Sequence, residues 1–283
     1  MKIGYQGEPG AFSEAAARRV DAEAQLAPFK SFEEVFDAVN GGAVSYGVLP
    51  IENSIGGSIH RNYDLLLSHE LPIVGEVELP VVHHLLALPG ATLDGLKRVY
   101  SHPQGLAQCE RFLRTLKGVE VIATYDTAGS AKMVADANAF DAAAIASARA
   151  GEVFGLKPLA SSIQDFDDNI TRFIVVGRRP MKNLVPDKTT IVFTVTNEPG
   201  ALFKALATFA LRGVDLTKLE SRPIPGRPWE YLFYADLAAA RDNLACARAR
   251  SSRGVRADAQ DARVYASWKS REERSPDPFE VVS

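Results

Sequence analysis

Along the first 180 residues the apolar positions follow two patterns, short unbroken runs and positions three and four apart. The runs predict buried strands, and the spaced positions predict amphipathic helices packed on them. Residues 2–5 form the first strand and Gly7-Glu8-Pro9-Gly10 a turn. Residues 11–20 read as a helix whose start presents unpaired N–H groups suited to a carboxylate or phosphate. Phe32, Val35, Phe36 and Val39 share the face of a second helix, with Ser31 as its cap, Glu34 as the capping-box partner and Asn40-Gly41-Gly42 as its stop. A strand at 46–51 enters the polar turn 52–59, which leads to a helix at 62–68. Pro80 separates strands at 73–79 and 81–88, where a crossover between two lobes is expected. Strand, polar loop and helix then recur: strands near 99–101, 122–125 and 142–146 precede helices at 106–116, 126–138 and 147–154. This alternation predicts a largely parallel, doubly wound α/β architecture in which polar loops from distant stretches meet at one cleft.

The stretch Asp165-Phe166-Asp167-Asp168-Asn169-Ile170-Thr171-Arg172-Phe173-Ile174-Val175-Val176 is polar in front and apolar behind, a loop running into a buried strand. Thr171 and Arg172 stand at the junction, where a rigid strand holds a hydroxyl and a guanidinium toward whatever the loop surrounds. Asn53, Ser54 and Ser58 lie in another polar turn behind a strand, where open α/β sheets bind ligands; capping of the following helix is the competing explanation. His83 and His84 are adjacent, so on a strand they face opposite sides, and without clustered acid or thiol partners both are expected to be structural.

Pro180, Asn183, Pro186 and Asp187 mark a linker. Beyond it, a strand at 189–195, the turn Asn197-Glu198-Pro199-Gly200, a helix at 201–211 and strands at 216–222 and 229–236 make a second, smaller domain of βαββ order. Residues 248–263 are rich in Arg, Ser, Asp and Ala, with Val255 as their one larger apolar residue, and read as disordered or as a frayed helix.

Composition narrows the function. With 283 residues, 46% hydrophobic and 24% charged, the chain has an ordinary soluble composition and room for about two domains. A net charge of −3 and a pI near 6.0 offer no global attraction to nucleic acid or to an anionic membrane, so a small-molecule partner is expected. No apolar run reaches the roughly 18 residues of a membrane span, and no signal-peptide pattern precedes the first strand. Cys109 and Cys246 lack metal spacing or a disulfide framework, which fits a reducing, cytoplasmic setting. Gly4, Gly7 and Gly10 do not have dinucleotide-binding spacing and no Walker-type loop occurs, so no nucleotide cofactor is expected.

Six motifs in order give the chain a specific likeness: Gly7-Glu8-Pro9-Gly10-Ala11-Phe12-Ser13; Gly47-Val48-Leu49-Pro50-Ile51-Glu52-Asn53-Ser54; Ser101-His102-Pro103-Gln104; Asp168-Asn169-Ile170-Thr171-Arg172-Phe173; Gly200-Ala201-Leu202-Phe203; and Glu220-Ser221-Arg222-Pro223. Over about residues 1 to 245 the chain resembles the prephenate dehydratase family with a C-terminal ACT regulatory domain. The resemblance implies a two-lobed, periplasmic-binding-protein-like α/β dehydratase domain at 1–180, a ferredoxin-like βαββαβ ACT domain at 188–268 and a tail at 269–283. It implies conversion of prephenate to phenylpyruvate with loss of CO2 and water, feedback inhibition by L-phenylalanine, a homodimer or homotetramer, and no metal or other cofactor.

Carried onto this sequence, the family's catalytic motif is Thr171, Arg172 and Phe173. Thr171 would donate to the departing oxygen, Arg172 would anchor a substrate carboxylate or pair with an acid such as Asp168, and Phe173 would pack the strand or touch substrate. Ser13, Asn53, Ser54, Ser101, Gln104, Thr127, Ser130 and Asn169 are the candidate substrate-binding residues. Gly200, Ala201, Leu202 and Phe203, with Glu220, Ser221, Arg222 and Pro223 across a subunit interface, are the candidate phenylalanine site. Two rival functions fit the same outline. Arogenate dehydratase would use the same cleft on an amino-bearing substrate and would be favoured by an acid near that amine; a small-anion or amino-acid binding protein would use the fold without catalysis. After Leu244 the family's pattern of helix and strand is interrupted at 248–256, and residues 263–268 resemble its final strand.

Overall fold

Ile3, Val48, Leu49 and Val176, from three of the apolar runs, are wholly buried in one mixed sheet. The computed structural model describes residues 1–181, 186–211, 213–238 and 264–268. Asn183 of the expected linker, Cys246, the polar interval 248–263 and the tail 269–283 lie outside the described residues.

The chain enters the first sheet through β1 (Lys2–Gln6), α1 (Phe12–Val20), β2 (Gln25–Phe29), α2 (Phe32–Asn40) and β3 (Tyr46–Asn53). A short β4 (Gly57–Ser58), α3 (His60–His69) and β5 (Ile73–Pro80) follow. Ser31 caps α2 as expected, its Oγ accepting the Glu34 N–H at 3.2 Å. The Glu34 carboxylate closes on the Lys30 N–H at 2.9 Å, one residue earlier than a capping box would place it.

After Pro80 the chain crosses to a second sheet. It comprises β6 (His84–Ala87), β7 (Arg98–Ser101), α4 (Pro103–Ala107), α5 (Glu110–Leu113), β8 (Glu120–Ala123), α6 (Thr127–Asp136), β9 (Ala142–Ala146), α7 (Ala148–Phe154) and β10 (Lys157–Ala160). The chain then returns to the first sheet as β11 (Ile170–Gly177). The two sheets are ordered β2-β1-β3-β11-β5, with β4 beside β3, and β10-β6-β9-β7-β8. In β9, Ala142, Ala144 and Ala146 pack with Ala128, Ala131 and Ala150 of α6 and α7, while Ala143 and Ile145 pack on the other face with Leu85 and Cys109. Alanines on both surfaces allow close approach of helix and strand, and the alternation is the period of two.

Both sheets are mixed, which corrects the expectation of a largely parallel fold. β1 runs parallel to β2 and β3, and β7 parallel to β8 and β9. β11 is antiparallel to β3, β6 to β9 and β10 to β6. The C-terminal ends of the parallel strands lead to Gln6, Asn53, His102 and Asp126, all of which line one cavity, whereas β6 and β11 start beside it, with His83 just before β6 and Thr171 second in β11. A strand arriving by a crossover from the facing lobe enters its sheet from the cleft end, so it runs against strands fed by helices from behind. The helix expected at 106–116 is also broken, because Cys109 leaves helical geometry at φ −123° and ψ 24° between α4 and α5.

The chain divides into two compact units, one of Met1–Leu71 with Val77–Arg178 and the other of Pro72–Glu76 with the chain from Arg179 onward. Glu76, at the end of the Pro72–Glu76 segment, is buried and pairs with Lys188 Nζ at 2.6 Å. The second unit contains β12 (Pro186–Thr194), α8 (Ala201–Ala210), β13 (Leu216–Pro223), β14 (Tyr231–Leu237) and β15 (Val264–Trp268). Its antiparallel sheet is ordered β13-β14-β12-β15, so the last strand pairs with the first. Phe193, Ala205, Ala235 and Leu237 form its core, against which Leu202, Leu206 and Phe209 of α8 pack.

Candidate active site

Strand register and one bulge aim the residues at the loop–strand junction. Arg172 pairs with Glu52 but Phe173 pairs with Pro50, so β3 carries an extra residue at Ile51 while β11 stays regular. The period of two along β11 places Thr171 and Phe173 on the cavity face and Arg172 on the other.

Asn53 is the hub of the site. Its Oδ1 accepts the backbone N–H groups of Ile55 at 3.1 Å and Gly56 at 2.7 Å, and these can only donate, so the opposite end of the amide is its NH2. That Nδ2 donates to Asn169 Oδ1 at 2.7 Å, Thr171 Oγ1 at 3.0 Å and the Ile170 carbonyl at 3.2 Å. A hydroxyl that accepts in this way keeps its own proton for another partner. Oδ1 of Asn53 also accepts from Gln108 Nε2 at 3.2 Å, which turns Gln108 Oε1 toward His83 Nε2 at 2.9 Å. His83 is therefore protonated on Nε2, and its buried Nδ1 has no partner. Burial, above all, holds the His83 pKa below the ordinary imidazole value, and Phe12 packs edge-on against the ring at 5.4 Å.

These groups open on a cavity of about 370 Å³. Phe12, Phe32, Pro50, Ile59, Val81 and Phe173 make its apolar wall, and Ser13, Asn53, Gln104, Gln108, Thr127 and Thr171 supply hydroxyls and amides. Its ionisable side chains are His83, His102, Tyr125 and Asp126; no Arg or Lys is among the lining residues. Ala11, the N-cap of α1, makes no side-chain bond to the first turn, which faces the cavity at Phe12 and Ser13. His102 caps α4, its Nδ1 accepting the Gln104 N–H at 3.2 Å, and burial lowers its pKa. Asp126 caps α6 by accepting the Gly129 N–H on Oδ1, and burial is the main reason that its pKa is raised. Between the lobes, Ser147 Oγ donates to the Gly10 carbonyl at 2.6 Å. Gly10 has φ +90°, and a Cβ there would come within 2.6 Å of Ala150 Cα.

Ser13, Asn53, Gln104, Thr127, Thr171 and Phe173 thus meet at one cavity, and five of the other expected residues do not line it. Arg172 pairs with Glu52 at 3.0 Å, neither with Asp168 nor toward the cavity. Ser54 is exposed and stitches the incoming loop to β3, donating to the Asp168 carbonyl at 2.7 Å and accepting the Ile170 N–H at 2.9 Å. Ser101 is wholly buried and donates to the Ile145 carbonyl at 2.7 Å, and Ser130 donates to the Asp126 carbonyl at 2.8 Å within the cap of α6. Asn169 lies behind Asn53 and orients it. Capping does not explain the turn at 52–59 either, since Ile59 is the N-cap of α3 and receives no side-chain bond.

His83, expected to be structural, lines the cavity and belongs to the Asn53 network. Gln108, His102 and Asp126 were not among the expected site residues. Asp126 follows a strand and precedes a helix as a capping residue should, and that pattern was a usable signal. In the second unit Gly200 is the N-cap of α8 at φ +80° and Ala201 opens that helix. Leu202 packs into the core and Phe203 is 75% exposed. Glu220, Ser221, Arg222 and Pro223 lie on the edge strand β13, with Ser221 and Pro223 exposed.

Residues 3–181 match the family model "Prephenate dehydratase", and residues 189–245 match "ACT domain". Arogenate dehydratase/prephenate dehydratase 2, chloroplastic, of Arabidopsis thaliana is 49% identical over 253 residues, covering 84% of this chain and 65% of that protein. The chain therefore spans just under two thirds of this relative's length. Among solved structures, prephenate dehydratase from Arthrobacter aurescens in complex with L-Phe is 32% identical with a TM-score of 0.78, covering 85% of this chain and 81% of that one. GqqA, described as a novel type of quorum-quenching acylase, is 33% identical with a TM-score of 0.83, covering 97% of this chain and 100% of that one. With the dehydratase model matched over well over half of its length, the chain belongs to the prephenate dehydratase family.

Proposed function

We propose that the protein is a decarboxylating dehydratase that converts prephenate to phenylpyruvate, and that arogenate, the amino analogue, is the alternative substrate for the same elimination. The observation that carries this is the Thr171 hydroxyl: it stands in the cavity with its acceptor side filled by Asn53 Nδ2, so its proton is available to a leaving oxygen. In the elimination the electron pair of the bond to the ring carboxylate moves through the ring and expels the 4-hydroxyl. CO2 and hydroxide leave, the ring becomes aromatic, and one proton taken up from solvent completes the water. Thr171 stabilises the departing oxygen by hydrogen bonding, since its hydroxyl is far too weak an acid to ionise near neutrality. The apolar wall of Phe12, Phe32, Ile59, Val81 and Phe173 strips water from the carboxylate that leaves. The first turn of α1 offers N–H groups to the carboxylate that stays.

This chemistry needs no metal or redox group. The acylase relative supports a second activity less well, because the Thr171 hydroxyl is bonded by an amide and not by an imidazole that could take its proton. Phenylalanine, sensed by the ACT unit of a homodimer or homotetramer, lowers turnover in this proposal, and the protein works in the cytoplasm. The test is phenylpyruvate formation from prephenate, read by ultraviolet absorbance in alkali, for wild type and Thr171→Val with and without phenylalanine. Turnover in wild type, inhibition by phenylalanine and loss of at least 100-fold in kcat/KM in the variant are expected, on the scale of a lost transition-state donor. A folded wild type that turns over neither prephenate nor arogenate refutes the proposal.

A further inference from the structure

Among the described residues Asp126 is the one carboxylate on the cavity wall, and one of its two oxygens has no hydrogen-bond partner. Oδ1 accepts the Gly129 N–H as the cap of α6, while Oδ2 is buried and has no hydrogen-bond partner. Among the described residues no cation neutralises it from the wall: Lys132, the nearby ammonium, is engaged by Glu8 at 3.1 Å, and neither Arg nor Lys lines the cavity. Oδ2 faces the loop of the other lobe, where Gly7 has no side chain and an added Cβ would stand 4.0 Å from it. An ionised oxygen held in this way calls for a cationic donor from the ligand. Burial above all raises the Asp126 pKa and the Glu8 charge adds to it, against the opposing pull of the backbone N–H groups of Gly129, Ala128 and Glu8.

Asp126, on a loop of one lobe, and Thr171, on β11 of the other, line the same cavity. The substrates have the matching polarity, because the leaving hydroxyl and the ring carbon that bears the side chain lie across a six-membered ring from each other. Prephenate would present a keto group and a carboxylate to Asp126, lone pairs against a negative charge. Arogenate would present an ammonium group with three N–H donors.

Resting on the dehydratase function proposed above, we propose that Asp126 is the specificity-determining residue of this cleft, receiving the substrate ammonium on Oδ2 and so favouring arogenate over prephenate. The test is the ratio of kcat/KM for arogenate to that for prephenate in wild type, Asp126→Asn and Asp126→Ser. Asn and Ser both keep an N-cap acceptor, and a ratio of two substrates on one enzyme sample cancels any loss of folded protein. A wild-type ratio above one is expected, falling by about 10- to 100-fold in both variants, the range of a charge-assisted hydrogen bond. A wild type that prefers prephenate, or a ratio that stays within twofold in the variants, overturns the role of Asp126 and leaves the dehydratase intact. Turnover of neither substrate by wild type overturns both.

Discussion

Replacing Asn53 with aspartate keeps the shape of the side chain and reverses one end of it. Oδ1 still accepts from Ile55, Gly56 and Gln108, so the turn after β3 and the link to His83 stay in place. The end that donated to Thr171 Oγ1 at 3.0 Å becomes a carboxylate oxygen, and the only bond then open between the two groups runs the other way, from the Thr171 hydroxyl to the new carboxylate. A hydrogen bond to a charged group is worth about 1.5–3 kcal/mol, and it must be broken before Thr171 can donate to a leaving oxygen. The rate cost is that energy expressed as a factor, about 10- to 150-fold in kcat/KM. Stability falls as well, because a carboxylate replaces a buried amide: Asn169 can turn its amide and offer Nδ2, which is buried without a partner in the native protein, but the Ile170 carbonyl, at 3.2 Å, then faces an oxygen in place of a donor.

The assay is kcat/KM from phenylpyruvate absorbance for Asn53→Asp, Thr171→Val and the double variant, with urea denaturation of each to establish the folded fraction. If Asn53 acts through the Thr171 proton, its substitution costs nothing further once the hydroxyl is gone, and the double variant matches Thr171→Val. Retention of kcat/KM within threefold in Asn53→Asp refutes the reasoning, as does a double variant in which the two losses multiply.

Arg172→Met is expected to lower stability by about 1–3 kcal/mol, between an exposed and a buried pair, because Arg172 is only 14% exposed where it meets Glu52. Its kcat/KM per folded molecule should fall less than tenfold, and a loss as large as that of Thr171→Val would return Arg172 to the chemistry. The urea midpoint of wild type should drop as pH falls below about 6.5, because the unfolded imidazole then binds a proton that buried His83 resists. His84 and His102 are displaced in the same direction by burial, so His83→Gln should make the fall between pH 7.5 and 5.5 shallower without abolishing it; equal slopes refute this.

Periodicity and turn residues found most strands and helices of both units, because burial of an apolar face is a local property of the spacing of residues, but they missed β2, β4 and β10, whose sequences show no such face. The Ser31 cap, the crossover after Pro80 and the loop–strand junction at Thr171 were legible for the same reason: each depends on neighbours within a turn or two. Strand direction was not, since whether β6 and β11 run with or against their neighbours depends on which lobe the chain arrives from. Nor could residue type tell a cavity serine from a structural one. Ser13, Ser54, Ser101 and Ser130 carry the same hydroxyl, yet only Ser13 reaches the cavity, and the others are spent on carbonyls that folding brings beside them. The same holds for Thr171 and Arg172, adjacent in sequence and sent to opposite faces by the strand they share. Motif order pointed to the family and singled out Thr171 as a candidate, and the two family models match in the same order along the chain. Tertiary structure decided which neighbours complete the site, because Asn53, His83, Gln108, Asp126 and Thr171 lie on five separate segments whose shared cavity exists only once two sheets face each other.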